Sequence, residues 1–308
     1  MEQYLVLDLG GTFIKYALMQ QNGEILRQGK VVSPVDTMDH FLTAFEPLRQ
    51  EFAGEYAGVA VSMPGRIDTA RGIAHSGGMF KFIKYDPIAQ LLSDCFQAPV
   101  TIANDGKCAV KAEAWDGALA DVDNGAVIVL GTGTGGGLLL NRQVWMGSNF
   151  AAGELSVFGM DFKKMTDGCK TFGDAREAFW CGWMSAGGIL THYAAYKGID
   201  SASVDGYAFF DAYEAGDPVA VQTLQEFGKM AAAGIYSLQS VLDLQKIAIG
   251  GGISARPEVT EVIRSCVEQQ FNSIVFSPLK VPQIVTCKYG NNANLLGALR
   301  FHLEQEND

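Results

Sequence analysis

The stretch GAVIVLGTGTGGGLLL, residues 125–140, decides the fold. Residues 125–130 form a short apolar run rich in β-favouring side chains. It enters a seven-residue segment, Gly131 to Gly137, that contains five glycines, and the chain leaves through a second apolar run, 138–145, that turns at Asn141-Arg142. Strand, glycine turn, strand is the reading. Gly131, Gly133 and Gly136 spell GxGxxG, yet a dinucleotide site needs a helix that starts inside the glycines and points its N-terminus at the pyrophosphate. A strand follows here, which excludes a nicotinamide oxidoreductase. A glycine turn carrying Thr132 still suits β- and γ-phosphates, because residues without a side chain let backbone N–H groups approach an anion closely.

The N-terminus opens in the same way. Residues 4–8 are apolar up to Asp8, Gly10-Gly11-Thr12 make a turn, 13–19 resume as a strand, Asn22-Gly23 turn again, and 24–32 form a third strand. Phe41, Leu42, Phe45, Leu48 and Phe52 have helical spacing, predicting one helix over 40–52. A strand at 58–62 ends in Met63-Pro64-Gly65, a helix spans 85–96, and a strand at 100–103 runs through Asn104-Asp105-Gly106 into a helix over 107–115. In the second half, 217–242 is a long helix with Val221, Leu224, Phe227, Ala231, Ile235, Leu238 and Leu242 on one face, and a strand at 246–249 runs into Gly250-Gly251-Gly252. Two similar α/β halves follow: an N-terminal domain over 1–118, completed by a C-terminal helix over 293–308, and a larger domain over 119–292.

With 308 residues, 48% hydrophobic and 19% charged, the chain has ample material for buried cores. Lys and Arg number 23 against 34 Asp and Glu, a net charge of -11 that repels nucleic-acid backbones and anionic membranes. We expect no nucleic acid or membrane partner. The start, Met1-Glu2-Gln3-Tyr4, has no signal-peptide pattern, so a cytoplasmic location is expected. The six cysteines form no CxxC pair and lie apart from the four histidines, so no zinc is expected.

Asp8 stands at a strand end directly before two glycines, where a carboxylate can hold Mg²⁺ through water beside phosphates. Gly250 to Gly252 suit close approach of an adenine or ribose. Asp105, between strand and helix, has two readings: an N-cap for the helix, or a general base toward a substrate hydroxyl that Asn104 orients. Glu154 follows a glycine in a loop of small residues.

Taken in order, Asp8 to Thr12, Ser62 to Gly65 with Ile67-Asp68, Asn104-Asp105 with Glu113, Gly131 to Gly137, Gly153-Glu154, Ile249 to Gly252 and Gly297-Ala298 resemble the ROK family of bacterial sugar kinases, within the actin, sugar kinase and Hsp70 fold group. The resemblance implies two ribonuclease H-like domains with ATP, Mg²⁺ and a hexose in the cleft between them, and phosphoryl transfer to a sugar hydroxyl, usually the 6-OH. It implies Asp105 as catalytic base, Asn104 and Glu154 as sugar contacts, Asp8, Gly10, Gly11 and Thr12 as the first phosphate loop, Gly131, Thr132 and Gly133 as the second, and Gly251 and Gly252 as the adenosine loop. A homodimer is expected. The family's Gly-His pair and cysteine-rich zinc loop are replaced after Glu154 by Ser156-Val157 and a lone Cys169, and its Asn-Leu-Pro sugar segment by Ala74 to Gly78, of which Gly77 and Gly78 are assigned to the sugar site. Glucose, N-acetylmannosamine and β-glucosides are all candidate sugars; the alternative is a non-catalytic, sugar-sensing relative without a DNA-binding domain.

Overall fold

The structure is a computed structural model that describes residues 2–306. In chain order, β1 (Gln3–Leu9), β2 (Phe13–Gln20) and β3 (Ile25–Val32) are followed by α1 (Met38–Thr43), α2 (Glu46–Glu51), β4 (Gly58–Met63), β5 (Ile67–Asp68), β6 (Ile73–Ala74), α3 (Ile88–Phe96), β7 (Val100–Asn104) and α4 (Asp105–Asp116). The second half holds β8 (Gly125–Leu130), β9 (Thr134–Leu140), β10 (Gln143–Val144), α5 (Phe162–Asp167), α6 (Phe172–Ala178), α7 (Ala186–Lys197), α8 (Gly206–Glu214), α9 (Pro218–Leu242), β11 (Lys246–Gly250), α10 (Pro257–Ser273) and β12 (Gln283–Thr286), and α11 (Ala293–Gln305) ends the chain.

Each half builds a five-stranded sheet of the same order, β3-β2-β1-β4-β7 and β10-β9-β8-β11-β12. In both, the first hairpin is antiparallel and the two later strands run parallel to its first strand or to each other. This repeated mixed sheet is the ribonuclease H-like fold. The chain divides into two units: one holds the chain up to Ala120, Val144–Ala152 and the chain from Asn291 on, and the other holds Asp121–Gln143 and Gly153–Gly290. Val144–Ala152, placed with the second domain by the sequence reading, is therefore grouped with the first.

Several expectations are corrected. The helix over 40–52 is two helices, because Pro47 lacks an N–H and its ring excludes the carbonyl four residues back, so a new helix starts around it. The helix expected from 85 begins at Ile88, after Pro87. Val221 is 45% exposed and leaves the buried face of α9, which Leu224, Phe227, Ala231, Ile235 and Leu238 form. Within 131–137 only Gly131 to Gly133 turn; Gly135, Gly136 and Gly137 lie in β9. The Asn141-Arg142 turn holds, with both residues at positive φ (52° and 62°), as a type I′ hairpin requires.

In the first unit α11 lies over β4 and β7 and packs along α4. Gly297 makes this possible: a Cβ there would sit 1.8 Å from the Cys108 carbonyl oxygen. Gly297→Ala should push the helices apart at a cost of about 1–3 kcal/mol, lowering the thermal midpoint by roughly 2–4 °C per kcal/mol for a domain of this size. Calorimetry checks this, and an unchanged midpoint would mean that α4 yields freely.

Candidate active site

In the first unit the three parallel strands β1, β4 and β7 deliver their C-terminal ends to one edge, the place where open α/β sheets bind ligands. The register sets Asp8 opposite Ser62, and Met63 opposite Asn104. Asp8 is almost buried (8% exposed), and its Oδ1 accepts from Ser62 Oγ (2.9 Å) and Asn294 Nδ2 (3.1 Å), while Lys15 Nζ stands 3.7 Å from Oδ2. The turn after it is tight: Gly10 N–H donates to the Phe13 carbonyl at 3.1 Å, and Ser33 Oγ donates to the Gly10 carbonyl at 2.6 Å. Thr12 is exposed.

Asn104, not Asp105, is the N-cap of α4. Its Oδ1 accepts from Lys107 N–H (3.2 Å) with extended backbone at Asn104 itself, so the cap reading of Asp105 is replaced. Asp105 is the first helical residue, and its Oδ1 accepts from Gly106 N–H (2.8 Å) and Asn104 Nδ2 (3.0 Å). The same Asn104 amide donates to the Gly65 carbonyl at 2.9 Å. Gly65, at φ 105°, has no room for a side chain, since a Cβ would meet the Ser76 carbonyl at 2.0 Å. Gly77 is buried and Gly78 lies against Pro64. Met79 closes the circuit, its Sδ occupying the space a Cβ on Gly11 would need. Asp8, Gly10 to Thr12, Gly77, Gly78, Asn104 and Asp105 thus belong to one continuous set of contacting loops. Behind them, burial first and then the carboxylates of Asp105 and Asp8 push the Cys108 thiol well up, so it stays protonated.

In the second unit β8 ends at Leu130, directly before Gly131. Gly131 N–H donates to the Gly133 carbonyl (2.9 Å), and Ala186 N–H, at the start of α7, donates to the Gly131 carbonyl (2.9 Å). Gly251, at φ 89°, is pressed against Leu130, whose carbonyl oxygen would lie 2.4 Å from a Cβ. Gly131, Thr132, Gly133, Gly251 and Gly252 therefore border one strand end, with Thr132, Gly133 and Gly252 exposed. Glu154 is exposed in a loop held over β9, because Gly153 lies against Gly137 and Leu155 fills the space above Gly136. Its carboxylate accepts from Ser156 Oγ.

Sequence reasoning missed Ser62 and Asn294 as supports of Asp8, and the α7 N-terminus as the support of the glycine loop. Only the last had a local signal, Ser185, which caps α7 by accepting from Gly188 N–H. Among the described residues no three His, Cys, Asp or Glu side chains are grouped to hold a metal. A hydrated Mg²⁺ shared with phosphates needs no such group, and the oxygen-only carboxylate of Asp8 suits it. Among the described residues no helix is long and apolar enough to cross a membrane.

A family model described as ROK family matches residues 4–305. This chain belongs to the ROK family. A β-glucoside kinase of Klebsiella pneumoniae is 30% identical over 97% of this chain and 95% of its own length. An N-acetyl-D-glucosamine kinase of Yersinia pseudotuberculosis is 24% identical, covering 98% of this chain and all of that one. The crystal structure of a ROK family protein from Streptococcus pneumoniae, in complex with sucrose, superposes with a TM-score of 0.84 at 25% identity, over 99% of both chains. The two-unit fold seen here is thus the fold of ROK proteins.

Proposed function

We propose that this ROK protein is a kinase that transfers the γ-phosphoryl group of ATP to the 6-OH of a β-glucoside. Its class is ATP-dependent carbohydrate kinase. The observation that carries the reading is the Asn104-Asp105 junction: one carboxylate oxygen of Asp105 is fixed by two donors at a sheet edge, beside an amide that also grips the Gly65 turn. A carboxylate so oriented can accept the proton of an acceptor hydroxyl as the phosphoryl group arrives. Phosphoryl transfer otherwise needs positioning and electrostatics: Gly11, Thr12, Thr132 and Gly133 bind phosphates through backbone N–H groups, Gly10 and Gly131 close the two phosphate turns with theirs, Gly251 and Gly252 receive the adenosine, and Asn104, Glu154, Gly77 and Gly78 hold the sugar. Through water, Asp8 would hold Mg²⁺, which would supply positive charge beside the transferring group. The β-glucoside is favoured over free glucose and N-acetylmannosamine by the Klebsiella relative and by the exposed, apolar Val157 three residues after Glu154.

A coupled ADP-release assay over glucose, N-acetylmannosamine and β-glucosides tests the reading. We expect turnover with ATP and Mg²⁺, highest kcat/KM on a β-glucoside. Sugar binding without turnover on any sugar would instead assign the chain to sugar sensing.

A further inference from the structure

The excursion from Ala74 to Asp86 is closed on itself: Ala74 N–H donates to the Asp86 carbonyl (2.9 Å) and Asp86 N–H donates back to the Ala74 carbonyl (3.1 Å). This pairing sets Tyr85, which precedes Asp86, beside His75, which follows Ala74. Their rings lie 4.6 Å apart between centroids at a shallow 34°. Phe150, from the Val144–Ala152 segment, adds its ring edge-on at 5.2 Å from His75. Neither Tyr85 nor Phe150 suits its backbone. Both have left-handed conformations, φ 60° and 59°, which bulky side chains adopt at a cost that glycine or asparagine would avoid. Tyr85 is also 67% exposed, so packing within the fold does not account for its ring.

The position of the trio gives it a partner. His75 N–H donates to the Arg66 carbonyl (2.8 Å), and Ser76 Oγ accepts from Arg66 N–H (3.1 Å), which holds this excursion against the Gly65 turn that Asn104 grips. The rings therefore begin one loop away from the groups assigned to the sugar, and Phe150 precedes Glu154 by four residues. With the 6-OH directed to Asp105, an equatorial substituent on the anomeric carbon leaves the pyranose in the plane of its ring and extends beyond the sugar pocket. A flat six-membered ring there, pyranose or aryl, offers an apolar face that matches an aromatic surface.

We infer that His75, Tyr85 and Phe150 form a stacking platform for the aglycone of a β-glucoside. This rests on the β-glucoside reading above and adds the residues that recognise the group beyond the glucose. The platform selects for a ring at the anomeric carbon and takes no part in the transfer itself.

Tyr85→Asn and Phe150→Asn remove each ring while placing a residue that tolerates the left-handed backbone, so the thermal midpoint should hold or rise. KM is measured for phenyl β-glucoside, for cellobiose as the β-linked pyranose, for methyl β-glucoside and for ATP. We expect KM for a ring-bearing glucoside to rise roughly tenfold, the scale of losing part of a buried aromatic contact. KM for methyl β-glucoside and for ATP should stay within about twofold, because neither reaches the rings. Tyr85→Phe should restore the wild-type values. A response to phenyl β-glucoside alone identifies aryl aglycones, a response to cellobiose alone a second sugar, and either supports the platform. Wild-type KM for both ring-bearing substrates, or equal loss on the methyl glucoside, overturns the platform while leaving β-glucoside phosphorylation standing. A wild-type enzyme that turns over free hexoses or N-acetylmannosamine and leaves every β-glucoside untouched overturns both.

Discussion

Asp105→Asn is expected to lose about 10²- to 10⁴-fold in kcat, the range for a positioned general base, with ATP KM nearly unchanged. An amide of the same shape cannot accept the hydroxyl proton, yet it can still receive the Gly106 N–H that Asp105 Oδ1 receives now. The stability arm of this experiment follows from the capping geometry. Because Asn104 supplies the cap of α4, the substitution leaves that bond in place and removes a negative charge from the first helical turn, a change worth about 0.3–1 kcal/mol. Steady-state kinetics with a β-glucoside, paired with thermal melting, separates the two roles. Near wild-type turnover would reduce Asp105 to a residue that merely begins a helix.

Glu154→Ala is expected to raise the sugar KM about 10- to 150-fold, the equivalent of losing a charge-assisted hydrogen bond of roughly 1.5–3 kcal/mol. The ATP KM should change far less. The side chain is exposed and its partner is the neighbouring Ser156, so truncation leaves no buried polar group unpaired and the fold should be untouched. The measurement is KM for the preferred glucoside and for ATP on the same preparation. An unchanged sugar KM would remove Glu154 from the sugar site.

Much of the architecture was legible in the sequence. The runs at 125–130 and 4–8 are short, apolar and bounded by glycine, and both became the first strand of a five-stranded sheet. The 217–242 helix was legible because its apolar spacing persists over many turns and Asp217 caps it through its own side chain. The misreading at 40–52 came from weighing apolar spacing over Pro47, whose missing N–H breaks the helix locally. At 131–137, composition marked the glycines but could not divide turn from strand, since strand pairing with β8 recruits Gly135, Gly136 and Gly137 through their backbone alone.

The site divides along the same line. Which residues could carry chemistry was local information: a carboxylate at a strand end, glycines after it, and an Asn-Asp pair before a helix are all visible within five residues, because backbone turns and caps depend on near neighbours. What those residues touch was decided by the tertiary structure. Asp8 is held by Ser62 and Asn294, 54 and 286 residues away. His75 meets Tyr85 only because Ala74 pairs with Asp86, and meets Phe150 only because the chain returns from the other unit. Such contacts are set by sheet register and chain return, which bring distant residues together irrespective of their spacing, so no periodicity along the chain encodes them.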